Sequence, residues 1–252
     1  MKARWPGFAL VVFVLLVWQI ATVGGWADSV SLPPVTAVVM SWWTDLASGS
    51  IPAQLVPSLR RITIGLGLAI AIGMPLGMLM GVNRLAYRIL EPLTELLRPI
   101  PSAAYIPVAI LFLGLGDQMK LFVIVLASVF PILLNTYMGV TGIDPVLIDT
   151  GRTLGTPRFS ILYKIVFPAS LPSILTGIRI SLGIAFIVSV TSEMIAGNNG
   201  LGYFIIDRQQ TFHVSEVFAG ILTLGVMGYA MNLVFLQIER YLLRWRGTTV
   251  RA

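Results

Sequence analysis

The sequence predicts an all-α polytopic membrane protein with six transmembrane helices, and three observations carry that expectation. First, 56% of the 252 residues are hydrophobic and 11% are charged, whereas a soluble domain carries about a quarter charged residues. Second, runs approaching the length of about 20 apolar residues that crosses a bilayer core recur at 8–23, 62–80, 97–115, 121–140, 174–194 and 217–236. Third, the basic residues gather at the ends of these runs, although the formal net charge is only +6. Helices are the expected form because each segment must satisfy its own backbone groups in lipid, and no barrel-like period-two alternation is present.

The first run follows Lys2 and Arg4 and so imitates a secretory signal. Its length, and the spans that follow it, favour a retained anchor. A single transmembrane domain over 1–252 is expected, with the first span in 1–31, an external segment at 32–58 and a core at 59–245. In the external segment, Pro33 and Pro34 precede an amphipathic helix over 35–46. Its paired Trp42 and Trp43 suit headgroup depth on the outer surface. Within the spans, Gly65, Gly67, Gly73 and Gly77 suit close helix packing. Pro75, Pro99, Pro101, Pro107 and Pro131 suit local kinks.

Loop charges orient the chain. With the N-terminus in the cytoplasm, the inner segments hold Lys2, Arg4, Arg84, Arg88, Arg98, Arg152, Arg158, Lys164, Arg240, Arg244, Arg246 and Arg251. The outer segments hold only Arg60, Arg61, Lys120 and Arg208, with Arg179 inside a span. The asymmetry places both termini in the cytoplasm.

Several chemistries are excluded. There is no cysteine and a single histidine, His213, so thiolate chemistry and histidine-based metal sites are not expected. No phosphate-binding loop of the form G-x-x-x-x-G-K-[ST] and no G-x-S-x-G nucleophile elbow occurs. No basic stripe with interleaved aromatics points to nucleic acid. Gly114-Leu115-Gly116-Asp117 spells the G-x-G-D of intramembrane aspartyl proteases. A second intramembrane aspartate is missing, because Asp28, Asp45, Asp144, Asp149 and Asp207 all fall in expected loops. Asp117 therefore reads as part of a turn.

One polar insertion on the cytoplasmic side is unusually specific. Residues 143–154 read as a short helix, ended by Gly155 at the position that accepts a positive φ. Thr156 as N-cap and Pro157 at the first helical position then restart a helix. Its apolar stripe is Phe159, Leu162, Ile165 and Val166, and Pro168 and Pro172 are expected to stop it. The product is a stiff two-helix elbow with one face free to dock.

From Asp149-Thr150-Gly151 through Gly155 to Ile165-Val166-Phe167-Pro168, the spacing resembles the E-A-A, G, I-x-L-P loop of bacterial ABC-importer permeases. Asp149 departs from Glu, Thr150 and Gly151 from the two alanines, and Phe167 from Leu. The wider stretches LRPIPSAAYIPVAILFLGLGD and RTLGTPRFSILYKIVFPASLP resemble the nitrate/sulfonate/taurine branch of those permeases.

That resemblance implies a type I ABC importer permease fold in a bacterial inner membrane, with an EAA-type loop over 149–172 serving as the coupling helix. It further implies a homodimer of this chain, two cytoplasmic ABC ATPase subunits that bind ATP and Mg, and an extracytoplasmic substrate-binding protein. The permease itself then binds no cofactor and catalyses no reaction. Carried onto this sequence, the ATPase-coupling residues are Asp149, Gly151, Gly155, Thr156, Pro157, Arg158, Phe159 and Tyr163.

Polar residues within spans are candidates for the translocation path: Asn135, Arg179, Ser181, Ser189, Ser192 and Glu193. Serine and threonine there also back-bond to their own helix. Glu193 is expected near the outer end, reached by water, as a gate or structural group rather than an anion ligand. Arg60 and Arg61 at the external mouth either steer an anion, meet the binding protein, or snorkel. The rival reading is an ion-gradient-driven secondary transporter of small organic anions, which requires mid-membrane coupling carboxylates and an inverted repeat.

Overall fold

The computed structural model describes residues 5–26 and 31–246. Lys2, Arg4, Asp28 and Arg251 lie outside the described residues. Every regular element among those described is helical.

The chain runs through α1 (Trp5–Val23), α2 (Val35–Ala47), α3 (Ser50–Val82), α4 (Arg84–Leu97), a 3-10 turn (Ser102–Ala104) and α5 (Tyr105–Leu113). It continues through α6 (Asp117–Thr141), α7 (Pro145–Thr153), α8 (Arg158–Ile161), a π turn (Leu162–Val166), α9 (Phe167–Ala196), α10 (Leu201–Gln210) and α11 (Val214–Leu242). A 3-10 turn, Arg244–Arg246, closes the described chain.

Among the described residues, four helical stretches are long and apolar enough to cross a membrane: Ser50–Val82, Asp117–Thr141, Arg158–Ala196 and Val214–Leu242. The expected span at 97–115 is not one helix. Arg84–Leu97 and Ser102–Leu113 meet at 81° and count as a fifth span only if the bent pair is taken together. Pro99 and Pro101 supply the cause, since neither can donate to a continuing helix and each restricts its predecessor. The expected first span matches α1, whose apolar part, Ala9–Val23, is shorter than these. The expected count of six therefore resolves into four long spans, one bent pair and one shorter apolar helix.

The described residues form two compact units, one within 5–58 with 193–227 and the other of 59–192 with 228–246. In the first unit, Trp18 donates from its indole to Pro33 O at 3.1 Å and stacks at a tilt on Phe218. Trp42 donates to Thr223 Oγ1 at 3.0 Å, while Trp43 stays exposed. The amphipathic helix expected over 35–46 is thus α2, tied down through one tryptophan of the pair.

The second unit is built on close backbone approach. Gly73, Gly77 and Gly81 recur every fourth residue on one face of α3. A Cβ at Gly73 would lie 2.8 Å from Val129 O, and one at Gly81 would lie 2.5 Å from Val140 Cγ1. At Gly77 it would overlap Leu133 O of α6. Small residues allow this because lipid gives helices no hydrophobic reason to associate, leaving packing as the attraction. On the far side of α6, Gly177 of α9 sits against Pro131 O and Asn135. Ser181 ties the same pair by donating to Ser128 O at 2.6 Å.

Candidate functional site

The elbow begins at Asp144, whose side chain accepts from Val146 N and caps α7, with Pro145 at the first helical position. The helix therefore starts two residues later than expected. Its end follows the sequence reading closely. Gly155 N donates to Arg152 O at 3.0 Å and Thr156 N to Gly151 O at 3.1 Å. These are the two bonds of a Schellman termination, and Gly155 has the required φ of +70°.

The restart differs from expectation. Pro157, not Thr156, occupies the N-cap of α8, and no side chain caps it. Nor do Pro168 and Pro172 stop the helix, because helical structure runs on from Arg158 to Ala196. The π turn at Leu162–Val166 accounts for this, with Phe167 N reaching back to Leu162 O. Widening the ladder ahead of Pro168 relieves the ring's clash with the preceding turn, and the proline is absorbed as a bulge.

Beneath the elbow, Val140, Ile143, Ile161 and Val166 form a buried cluster, with Met78, Ile148, Leu162 and Ile165 packed against it. Gly151 is buried here, and a Cβ on it would lie 2.7 Å from Ile165 Cδ1. Three members of the expected stripe thus face inward. Phe159 does not. It is 80% exposed, and Tyr163, Leu154 and Val146 are exposed with it. Arg158, Lys164 and Pro157 are exposed, Thr156 is half-buried, and Asp149 pairs with Arg152 at 3.0 Å in solvent. The elbow is rigid below and apolar above.

The candidate path residues separate by role. Ser192 back-bonds to Ser189 O at 2.8 Å, while the buried Ser189 hydroxyl has no partner. Ser181 is consumed by its bond to α6. Arg179 lies 3.8 Å from Glu239. Asn135 donates to Pro131 O at 2.8 Å and lines a cavity of about 420 Å3 in the second unit.

Glu193 is not reached by water as expected; it is 1% exposed. Ser58 Oγ lies 2.8 and 2.9 Å from its two oxygens, and Gly202 N donates to Oε2 at 3.0 Å. Ser58 Oγ also accepts Leu201 N, and Gln54 Oε1 accepts Gly200 N at 2.7 Å. Three side chains therefore satisfy the first amides of α10, and the carboxylate sits at the positive end of its dipole.

Arg60 and Arg61 converge on Asp117. Arg61, 1% exposed, donates from Nε at 2.8 Å and Nη2 at 2.6 Å to Oδ1, and Arg60 holds Oδ2. The G-x-G-D aspartate is an ion-pair anchor at the start of α6. Sequence reasoning missed Gln54, Ser58 and the pairing of Asp117. These contacts join residues 56 to 146 positions apart, and no local spacing signals them.

An all-helical membrane chain with a proline-bounded elbow has a known architectural counterpart. An inward-facing structure of the MetNI methionine ABC transporter matches 74% of this chain and 93% of the matched chain, with a TM-score of 0.63 at 20% identity. That likeness shows the fold: the chain shares its helical architecture with a chain of that transporter.

Sequence supplies the family. The family model described as the binding-protein-dependent transport system inner membrane component matches residues 73–247. The chain is 30% identical over 259 residues to the taurine transport system permease protein of Escherichia coli, covering 98% of this chain and 94% of that one. It is 32% identical to the nitrate import permease protein of Leptolyngbya laminosa, covering 89% and 82%. The chain belongs to the binding-protein-dependent inner membrane component family of ABC transporter permeases.

Proposed function

We propose that this chain is the permease subunit of an ATP-driven importer of a small anion, working as a homodimer with two ABC ATPase subunits and an extracytoplasmic substrate-binding protein. The taurine and nitrate relatives support the substrate class. Both termini lie in the cytoplasm in this reading. ATP and Mg belong to the ATPase, and the permease contributes alternating access without chemistry of its own.

One observation carries the proposal. Apolar side chains at Val146, Leu154, Phe159 and Tyr163 are exposed on a segment whose underside is packed and whose turn is locked. In a polar, solvent-facing loop, such a patch marks a protein contact. Prolines and the Schellman turn make the elbow a lever, so ATPase closure is transmitted into α6 and α9 without being lost in loop bending.

The gradient-driven alternative needs coupling carboxylates free to exchange protons within spans. Glu193 and Asp117 are instead committed to amide and guanidinium partners. The test is co-purification combined with uptake. Tagged permease should bring down its ATPase, and Gly155→Pro or Arg158→Glu should uncouple ATP hydrolysis from import while the chain remains inserted. Import driven by an ion gradient in the absence of ATP would contradict the proposal.

A further inference from the structure

The cavity beside α6 is lined by an unusual set of groups. Its polar residues are Arg98, Ser102, Tyr105 and Asn135, and its walls include Phe130 and Ile184. Arg98 is the only lining residue that carries a charge at neutral pH. Its nearest carboxylate, Glu95, is 3.7 Å away, and both are more than half exposed, so that pair is weak. The Tyr105 hydroxyl is buried and has no hydrogen-bond partner. A buried orphan hydroxyl is costly in a finished core. It is explained where a ligand completes it. At about 420 Å3, the cavity falls in the small-molecule range of about 300–1,000 Å3.

These groups come from the segment around the break in the expected third span. Arg98 ends α4, the 3-10 turn presents Ser102, and α5 opens with Tyr105. Their i, i+4, i+7 spacing is that of one helix face, and Asn135 and Phe130 of α6 line the same cavity.

We infer that this cavity is a stopping point for the transported solute, at which Arg98 and Tyr105 take the anionic head and Phe130 and Ile184 take an apolar body. The inference rests on the importer reading above and deepens it. A guanidinium fork, two hydroxyls and an amide supply the donors that a three-oxygen anion accepts. Phe130 and Ile184 offer contact to an alkyl body, which a bare inorganic anion such as nitrate does not have. The absence of any lining carboxylate keeps the field single-signed.

The experiment uses the complete complex of permease, ATPase and binding protein in phosphatidylethanolamine/phosphatidylglycerol liposomes. ATP-driven import of ethanesulfonate and of nitrate is measured for wild type, Arg98→Gln, Arg98→Lys, Tyr105→Phe and Ala127→Leu. The binding protein is the same throughout, so variant-to-wild-type ratios report the permease alone. Arg98→Gln is expected to lower ethanesulfonate import about tenfold or more, with Arg98→Lys intermediate because it keeps the charge but not the fork. Ala127→Leu, which fills the cavity, should lower ethanesulfonate import more than nitrate import. Tyr105→Phe removes only the orphan hydroxyl and should lower import about threefold; it guards against reading a misfolded Arg98 variant as support. Wild-type rates in Tyr105→Phe and Ala127→Leu would overturn the cavity while leaving the importer standing. Failure of the wild-type complex to import either anion with ATP would overturn both.

Discussion

The elbow and the Glu193 cluster are constructed in opposite senses. At Glu193, polar groups are drawn out of solvent and their contacts close on one another: Ser58, Gln54 and the amides of Gly200, Leu201 and Gly202. At the elbow, apolar groups are pushed into solvent, with Phe159 80% and Leu154 77% exposed. The first arrangement is complete within the chain. The second is not, because a large aromatic side chain gains nothing by standing in water. The contrast separates structure from coupling: substitutions at the closed cluster should cost stability, and those at the open elbow should cost function.

The largest stability loss is expected from Glu193→Ala. It leaves the Gly202 amide buried without its acceptor and the Ser58 hydroxyl with only its 3.4 Å contact to Gln54 O, at a cost of about 3 kcal/mol, read as a lower Tm in detergent. Gly200→Ala comes next. Its φ is +106° and a Cβ would overlap the Glu193 carboxylate, so about 2 kcal/mol is expected. A Tm for Gly200→Ala equal to that of the wild type would show that the cluster is looser than its geometry indicates. Gly155→Ala strains only an exposed turn at φ +70°, costing about 1 kcal/mol, yet its import rate should fall further than its Tm suggests. Arg152→Ala breaks a solvent-exposed ion pair and should shift stability by less than about 0.5 kcal/mol. A larger shift would move Asp149–Arg152 from the open region to the closed one.

The parts legible in the sequence were those set by local chemistry. Gly155 ends α7 with a positive φ because a glycine followed by Thr-Pro at a helix end has few other uses. The apolar runs at 121–140, 174–194 and 217–236 lie within observed helices because span length is written directly in hydropathy. Local rules failed where two of them competed. Pro168 and Pro172 were expected to break a helix, but a π turn upstream absorbed the first. The run at 97–115 satisfied the length rule, and Pro99 and Pro101 overrode it. Phe159 fell on the expected stripe, yet it stands exposed while Leu162, Ile165 and Val166 pack inward. Contacts such as Ser58 with Glu193 and Arg61 with Asp117 carry no local signature, since each depends on which helices meet.

The most direct test of the account places a cysteine at position 159. The chain has no cysteine of its own, and the site is exposed, so Phe159→Cys should fold and carry the only thiol. In membranes containing the assembled transporter, a thiol-reactive photocrosslinker at this position should capture the ATPase subunit, with a yield that changes when ATP is added. Crosslinking at position 159 only to lipid or to the permease itself, with the ATPase present and import intact, would contradict the elbow as the joint between ATPase and membrane domain.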